Sequence, residues 1–95
     1  MAANPSTTTA PVADREKVIM PRYKVLLHND DVNSMDHVVK ALRQVFKFDL
    51  EECVRIMIEA HDKGIALCIV ETLEQAELHR DQLRSFSLVA TIEPE

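Results

Sequence analysis

The chain has 95 residues, 46% of them hydrophobic, with 16 acidic against 11 basic side chains and a formal charge of -5. Residues 1–20 show almost no periodic apolar pattern, which leaves about 75 for one compact domain and no room for a second. The acidic balance, without a basic patch interleaved with aromatics, argues against a phosphate-backbone ligand and would instead suit cationic groups such as the ammonium of a peptide terminus.

The segment from Met1 to about Met20, with Asn-Pro-Ser-Thr-Thr-Thr-Ala-Pro inside it, reads as a flexible extension. Its small polar residues and prolines bury too little surface to offset the entropy of ordering. The run RYKVLLH from Arg22 to His28 suits a strand that points Tyr23, Val25 and Leu27 to one face, and Leu26 implies cover on the other face as well. The strand should stop at the turn-forming cluster Asn29-Asp30-Asp31.

Next comes a helix capped by Asn33, with Asp36 as its capping-box partner and Val38, Leu42 and Val45 along one face as far as about Phe46. A second helix starts at Asp49 with Glu52 at the capping-box position. It carries Cys53, Ile56, Met57 and Ala60 as a stripe and ends at Gly64, the only glycine in the chain, in a position that fits a left-handed cap. Ile65 to Val70 reads as a strand, Thr72 with Gln75 opens a third helix to about Ser85, and Leu88 to Glu93 reads as a final strand. The order β-α-α-β-α-β predicts an α+β fold: a three-stranded sheet covered on one face by three helices. Strands two and three should run parallel through a right-handed crossover, with strand one between them. Cys53 and Cys68 are too far apart for a Cys-x-x-Cys motif and read as reduced core residues.

No catalytic motif is present: there is no G-x-S-x-G, no glycine-rich phosphate loop and no nucleophile beside a base, so enzyme chemistry is not expected. His28, His37 and His79 read as surface residues, and no His or Cys spacing suggests zinc, so neither metal nor cofactor is expected. The turn Asn29-Asp30-Asp31 gathers hydrogen-bond acceptors at a strand end, although Asn and Asp there ordinarily bond their own backbone. His61 follows Met57 by four residues and shares its helix face, where it could equally serve the helix end. Met35 and Val38, with Met57 and His61, could form one groove with an apolar wall and a polar rim, or could be ordinary core. Two readings beside a binding adaptor stay open at this point. One is a scaffold module docking a protein partner, since this element order resembles the carboxyl-terminal domain of a ribosomal stalk protein; the other is a hydrolase using Asp30, Asp31 and His61 on a metal. No apolar run is long enough to span a membrane and no signal-peptide core opens the chain, so the expectation is a soluble, cytoplasmic protein; a monomer is expected beside that.

The runs YKVLLHNDDVNSMDHV, MIEAHDKG and LVATIE, in that order, resemble the ClpS family of adaptors for Clp unfoldases over about residues 20–95. The resemblance implies recognition of N-degrons, in which a free α-amino group is followed at once by a bulky apolar side chain such as Phe, Tyr, Trp or Leu. It implies that Asn29, Asp30 and His61 grip the α-amino group, and that Asp31 supports the loop or the first peptide bond. Asn33, where many members have Thr, would belong to the same loop. Met35, Val38, Met57 and Leu88 would line the side-chain pocket. Glu74, and His79 where Lys is frequent, would contact the N-domain of a ClpC-type or ClpA-type unfoldase.

Overall fold

The computed structural model describes residues 21–95, so the expected flexible extension over residues 1–20 lies outside the described residues. The elements follow the anticipated order: β1 Arg22–His28, α1 Met35–Phe46, α2 Leu50–Lys63, β2 Ile65–Thr72, α3 Leu73–Ser85 and β3 Val89–Pro94. β1 lies between β2 and β3 and is antiparallel to both. Strands β2 and β3 therefore run parallel to each other without touching, as a helix between them requires.

Three helix starts have a side chain that accepts from an orphan backbone N–H of the first turn, the interaction that fixes where a helix begins. Asp49 accepts from Glu52 and Thr72 from Gln75, as the capping pattern predicts. At α1 the cap is Ser34, whose Oγ accepts from the His37 N–H at 3.1 Å, and not Asn33. The Asn33 amide is drawn away by stronger partners described below, and the extended backbone of Ser34 (φ -72°, ψ 157°) places its hydroxyl where a cap must stand. Gly64 ends α2 with φ 88°, and its N–H donates to the Ala60 carbonyl at 2.8 Å. Lys47 (φ 63°) and Ser87 (φ 68°) take the same left-handed conformation with a Cβ in place, which costs each about 1–2 kcal/mol.

α2 packs on β2, α3 packs on all three strands, and α1 closes the layer against α2 and α3. Leu42, Ile56, Leu83, Val25 and Cys53 are the largest fully buried side chains. Truncating such a leucine or isoleucine to alanine costs about 2–5 kcal/mol. Both cysteines are free and buried, and burial pushes the Cys68 thiol up to about 12. On the other sheet face Leu26 is only 8% exposed although Leu67 and Val89 beside it are 40% and 48% exposed. Leu26 stands between its cross-strand partners Leu67 and Thr91. None of the described helices is long and apolar enough to cross a membrane.

Candidate functional site

The register of the sheet places three loops together. His28, the last residue of β1, is opposite Ile65 at the start of β2 and opposite Val89 at the start of β3. The chain leaving β1 therefore emerges between the end of α2 and the α3–β3 connection. The Asn29 N–H seals the first junction by donating to the Gly64 carbonyl at 3.0 Å. His61, in the last turn of α2, is thereby brought to the Asn29-Asp30-Asp31 loop although 30 residues separate them in sequence.

Asp30 organises that loop. Its Oδ1 accepts from the backbone N–H groups of Val32 and Asn33, both at 2.9 Å, and its Oδ2 accepts from Asn33 Nδ2 at 3.0 Å. The Asn33 backbone N–H, aided by the Asn33 amide, the Val32 N–H and the field of His37 and opposed by partial burial, holds the Asp30 carboxyl below its ordinary value of 3.8. Asn33 Nδ2 also donates to the Ser87 carbonyl at 2.8 Å, joining this loop to the segment before β3. The loop-supporting bonds thus fall on Asp30 and Asn33. Asp31 is exposed, and among the described residues its carboxylate supports no loop hydrogen bond.

Asn29, Asp30, Asp31, Asn33, Met35, Val38, Met57, His61 and Leu88 all line one cavity of about 290 Å³. The grouping expected from the sequence is therefore physical: three separate stretches of chain meet at one hollow. Leu88 is 4% exposed and Met57 is half-buried, so they lie deep, whereas Met35 is 52% exposed and stands at the mouth. His61 is also at the mouth, with Nδ1 at 3.3 Å from Asp62 Oδ1. Apolar walls below and oxygen acceptors with an imidazole at the rim suit a ligand with an apolar body and a hydrogen-bond-donating head.

Leu27, His28, Ser34 and Ala60 also line the cavity and were not anticipated. Leu27 and Ala60 are buried, and the alternation of β1 and the stripe of α2 identified them only as core. A core residue and a cavity-floor residue have the same sequence signature, because both face inward.

The remaining three histidines are not simple surface residues. His28 Nε2 lies 2.7 Å from Thr91 Oγ1, and His37 Nε2 donates to the Phe86 carbonyl at 2.7 Å. His79 Nδ1 is 2.6 Å from Glu71 Oε2, while its ring centroid lies 4.8 Å from that of Phe46. Each is half-buried with a partner, because an imidazole at the margin of a small core must satisfy a polar atom. Glu74, in the first turn of α3, is exposed, and neither it nor His79 belongs to the cavity. Among the described residues no three His, Cys, Asp or Glu side chains form a group able to hold a metal ion. Asp30, Asp31 and His61 are thus not such a group.

Residues 19–91 match the family described as ATP-dependent Clp protease adaptor protein ClpS. A Synechococcus sp. ClpS adapter is 46% identical over 83 residues, covering 86% of this chain and 80% of that protein. The Synechococcus elongatus ClpS adapter is 45% identical over 92 residues, covering 96% and 90%. A chloroplastic ClpS adapter of Chlamydomonas reinhardtii is 40% identical over 93 residues, covering 95% of this chain and 57% of that longer protein. Among solved structures, Agrobacterium tumefaciens ClpS2 bound to L-phenylalaninamide superposes with a TM-score of 0.74 at 32% identity, covering 79% of this chain and 98% of that one.

Proposed function

The chain belongs to the ClpS family of ATP-dependent Clp protease adaptors, and we propose that it binds N-degrons in the cavity at the end of β1 and delivers them to a Clp unfoldase. The observation that carries this reading is the convergence of Asn29, Asp30 and His61 with Met35, Val38, Met57 and Leu88 on one hollow of about 290 Å³. That volume suits a single large side chain rather than a stretch of peptide. The solved relative holds phenylalaninamide, a molecule with a free α-amino group and one bulky apolar side chain, which is the chemistry this hollow fits.

An α-ammonium has three donors and no acceptor. The Asn29 side-chain oxygen, the Asp30 carboxylate and a neutral His61 nitrogen offer a complementary set, with the negative charge of Asp30 strengthening the bonds. Asn33 holds Asp30 in place, and Asp31 stands free beside the loop to meet the first peptide bond. Met35 closes the mouth over the side chain, so a substituent at Cβ would be crowded there. Delivery would use a separate surface on α3. Exposed Glu74 is free to meet the N-domain of a ClpC-type or ClpA-type unfoldase, with His79 contributing the edge that Glu71 and Phe46 leave open. The reading places the protein in the cytoplasm as a monomeric, non-catalytic adaptor.

Titration of fluorescent peptides beginning with Phe or Leu should give micromolar or tighter binding that disappears when the same peptides are N-acetylated. Acetylation removes the charge and leaves one N–H where the ammonium had three, a loss of about 3 kcal/mol or roughly hundredfold in affinity. Equal affinity for both forms would refute the proposal.

A further inference from the structure

We propose that His37, which does not line the cavity, sets the range of side chains the cavity accepts by fixing the segment Phe86-Ser87-Leu88. The inference rests on the reading that the cavity receives the first side chain of an N-degron. Leu88 is one of the cavity's apolar walls, and its position depends on the two residues before it. Ser87 has φ 68° with a Cβ present, a conformation that persists only where the surroundings over-determine it.

Those surroundings are specific. The N–H groups of the segment all return to α3: Phe86 to Leu83 at 3.0 Å, Ser87 to Arg84 at 2.9 Å and Leu88 to Leu83 at 3.2 Å. Its first two carbonyls face the opposite way and accept from residues at the start of α1. Phe86 accepts from His37 Nε2 at 2.7 Å and Ser87 from Asn33 Nδ2 at 2.8 Å. The bonds to α3 fix the height of the segment. The bonds from Asn33 and His37 fix its distance from α1, and so the width between Leu88 and Val38, the neighbour of His37 along that helix.

Asn33 also holds Asp30, so changing it would disturb the amine-binding loop and the wall together. His37 acts on the wall through its hydrogen bond and through the tilted contact of its ring with Phe86 at 6.4 Å between centroids; its field on Asp30 bears on the amino group common to all peptides and so leaves the ratio between first residues untouched. A carbonyl only accepts, so Nε2 must carry its proton in either charge state of the ring. His37 is thus a positioning residue. Without its donor, Ser87 has one tether fewer holding it in the left-handed region, and Leu88 moves away from Val38.

The test uses the full chain and three labelled peptides with free amino termini, differing only in a first residue of Leu, Phe or Trp. His37→Phe keeps a ring of similar bulk but removes the donor. His37→Gln removes the ring but keeps a donor. The expected result for His37→Phe is a shift of the Trp-to-Leu affinity ratio toward Trp by about fivefold or more, a modest change beside the effect of one methylene in an apolar pocket. In His37→Gln the ratio should return to within about twofold of the wild type. A merely structural role would weaken all three peptides by a common factor. That result, an unchanged ratio in His37→Phe, or a shift that His37→Gln fails to reverse would each overturn the inference. Failure of the wild type to bind any of the three would overturn the N-degron reading beneath it as well.

Discussion

The two ends of β1 use similar side chains for different purposes. At the Arg22 end the polar groups close on one another. Arg22 donates to the Val70 carbonyl at 2.8 Å and lies near Glu95, Lys24 pairs with Glu93, and Glu71 pairs with His79 across β2 and α3. At the His28 end the same kinds of residue surround a hollow. There Asp30 and Asn33 hold the loop in place, while Asn29, Asp31 and His61 stay at an exposed rim. The difference teaches that a hollow in so small a domain draws on two sets of polar residues, one that positions the loop and one that stands at the rim. The end with only the first kind is structural.

The contrast breaks most sharply at Asp30, which serves both sets. Asp30→Ala should lower affinity for a Phe-first peptide by roughly hundredfold, since about two charge-assisted bonds of 1.5 kcal/mol each are lost. It should also lower the melting temperature, because the N–H groups of Val32 and Asn33 lose their acceptor. Unchanged stability would mean that the loop is held by something else.

Acid should erase that stability difference. The Asp30 carboxyl is held below its ordinary 3.8 in the folded chain, so its contribution is complete at pH values above that figure and is lost as pH falls through the lowered value. In thermal melts, the gap between wild type and Asp30→Ala should stay constant from neutral pH to about 5 and close at lower pH. A gap that persists into strong acid would show that the charge of Asp30 is not what orders the loop.

At the opposite end, Glu71→Ala should cost about 1 kcal/mol by leaving half-buried His79 without its partner, and peptide affinity should not change. Altered affinity would mean that the two ends are coupled through α3. The smallest effect is expected at Ser87. Ser87→Gly should raise stability by about 1 kcal/mol or less, as relief of the left-handed Cβ is partly offset by glycine's greater entropy when unfolded. A loss of stability would show that the serine side chain contributes a contact of its own.

Much of the fold was legible because its signals are local. Asp49 with Glu52, Thr72 with Gln75 and Gly64 after Lys63 mark helix ends through the backbone groups within one turn of each. The alternation in RYKVLLH marked β1 for the same reason. Asn33 misled because its capping chemistry is shared with Ser34, and the choice between them was made by the Ser87 carbonyl, 54 residues away. The histidines misled likewise: Thr91, Phe86 and Glu71 are distant in sequence from His28, His37 and His79, or separated from them by an element boundary.

By itself the sequence determined the element order, the reduced core cysteines, the acidic character and, through its resemblance to ClpS adaptors, the set of residues now found around the cavity. Only the tertiary structure decided how those residues divide their work. The register of β1 with β2 and β3 brought His61 and Leu88 to the Asn29 loop and made Leu27 and Ala60 a cavity floor, while bonds within the loop from Val32 and Asn33 gave the supporting role to Asp30 rather than Asp31. Hydrogen-bond partners are chosen by distance in space, and that distance is fixed only after the sheet has closed.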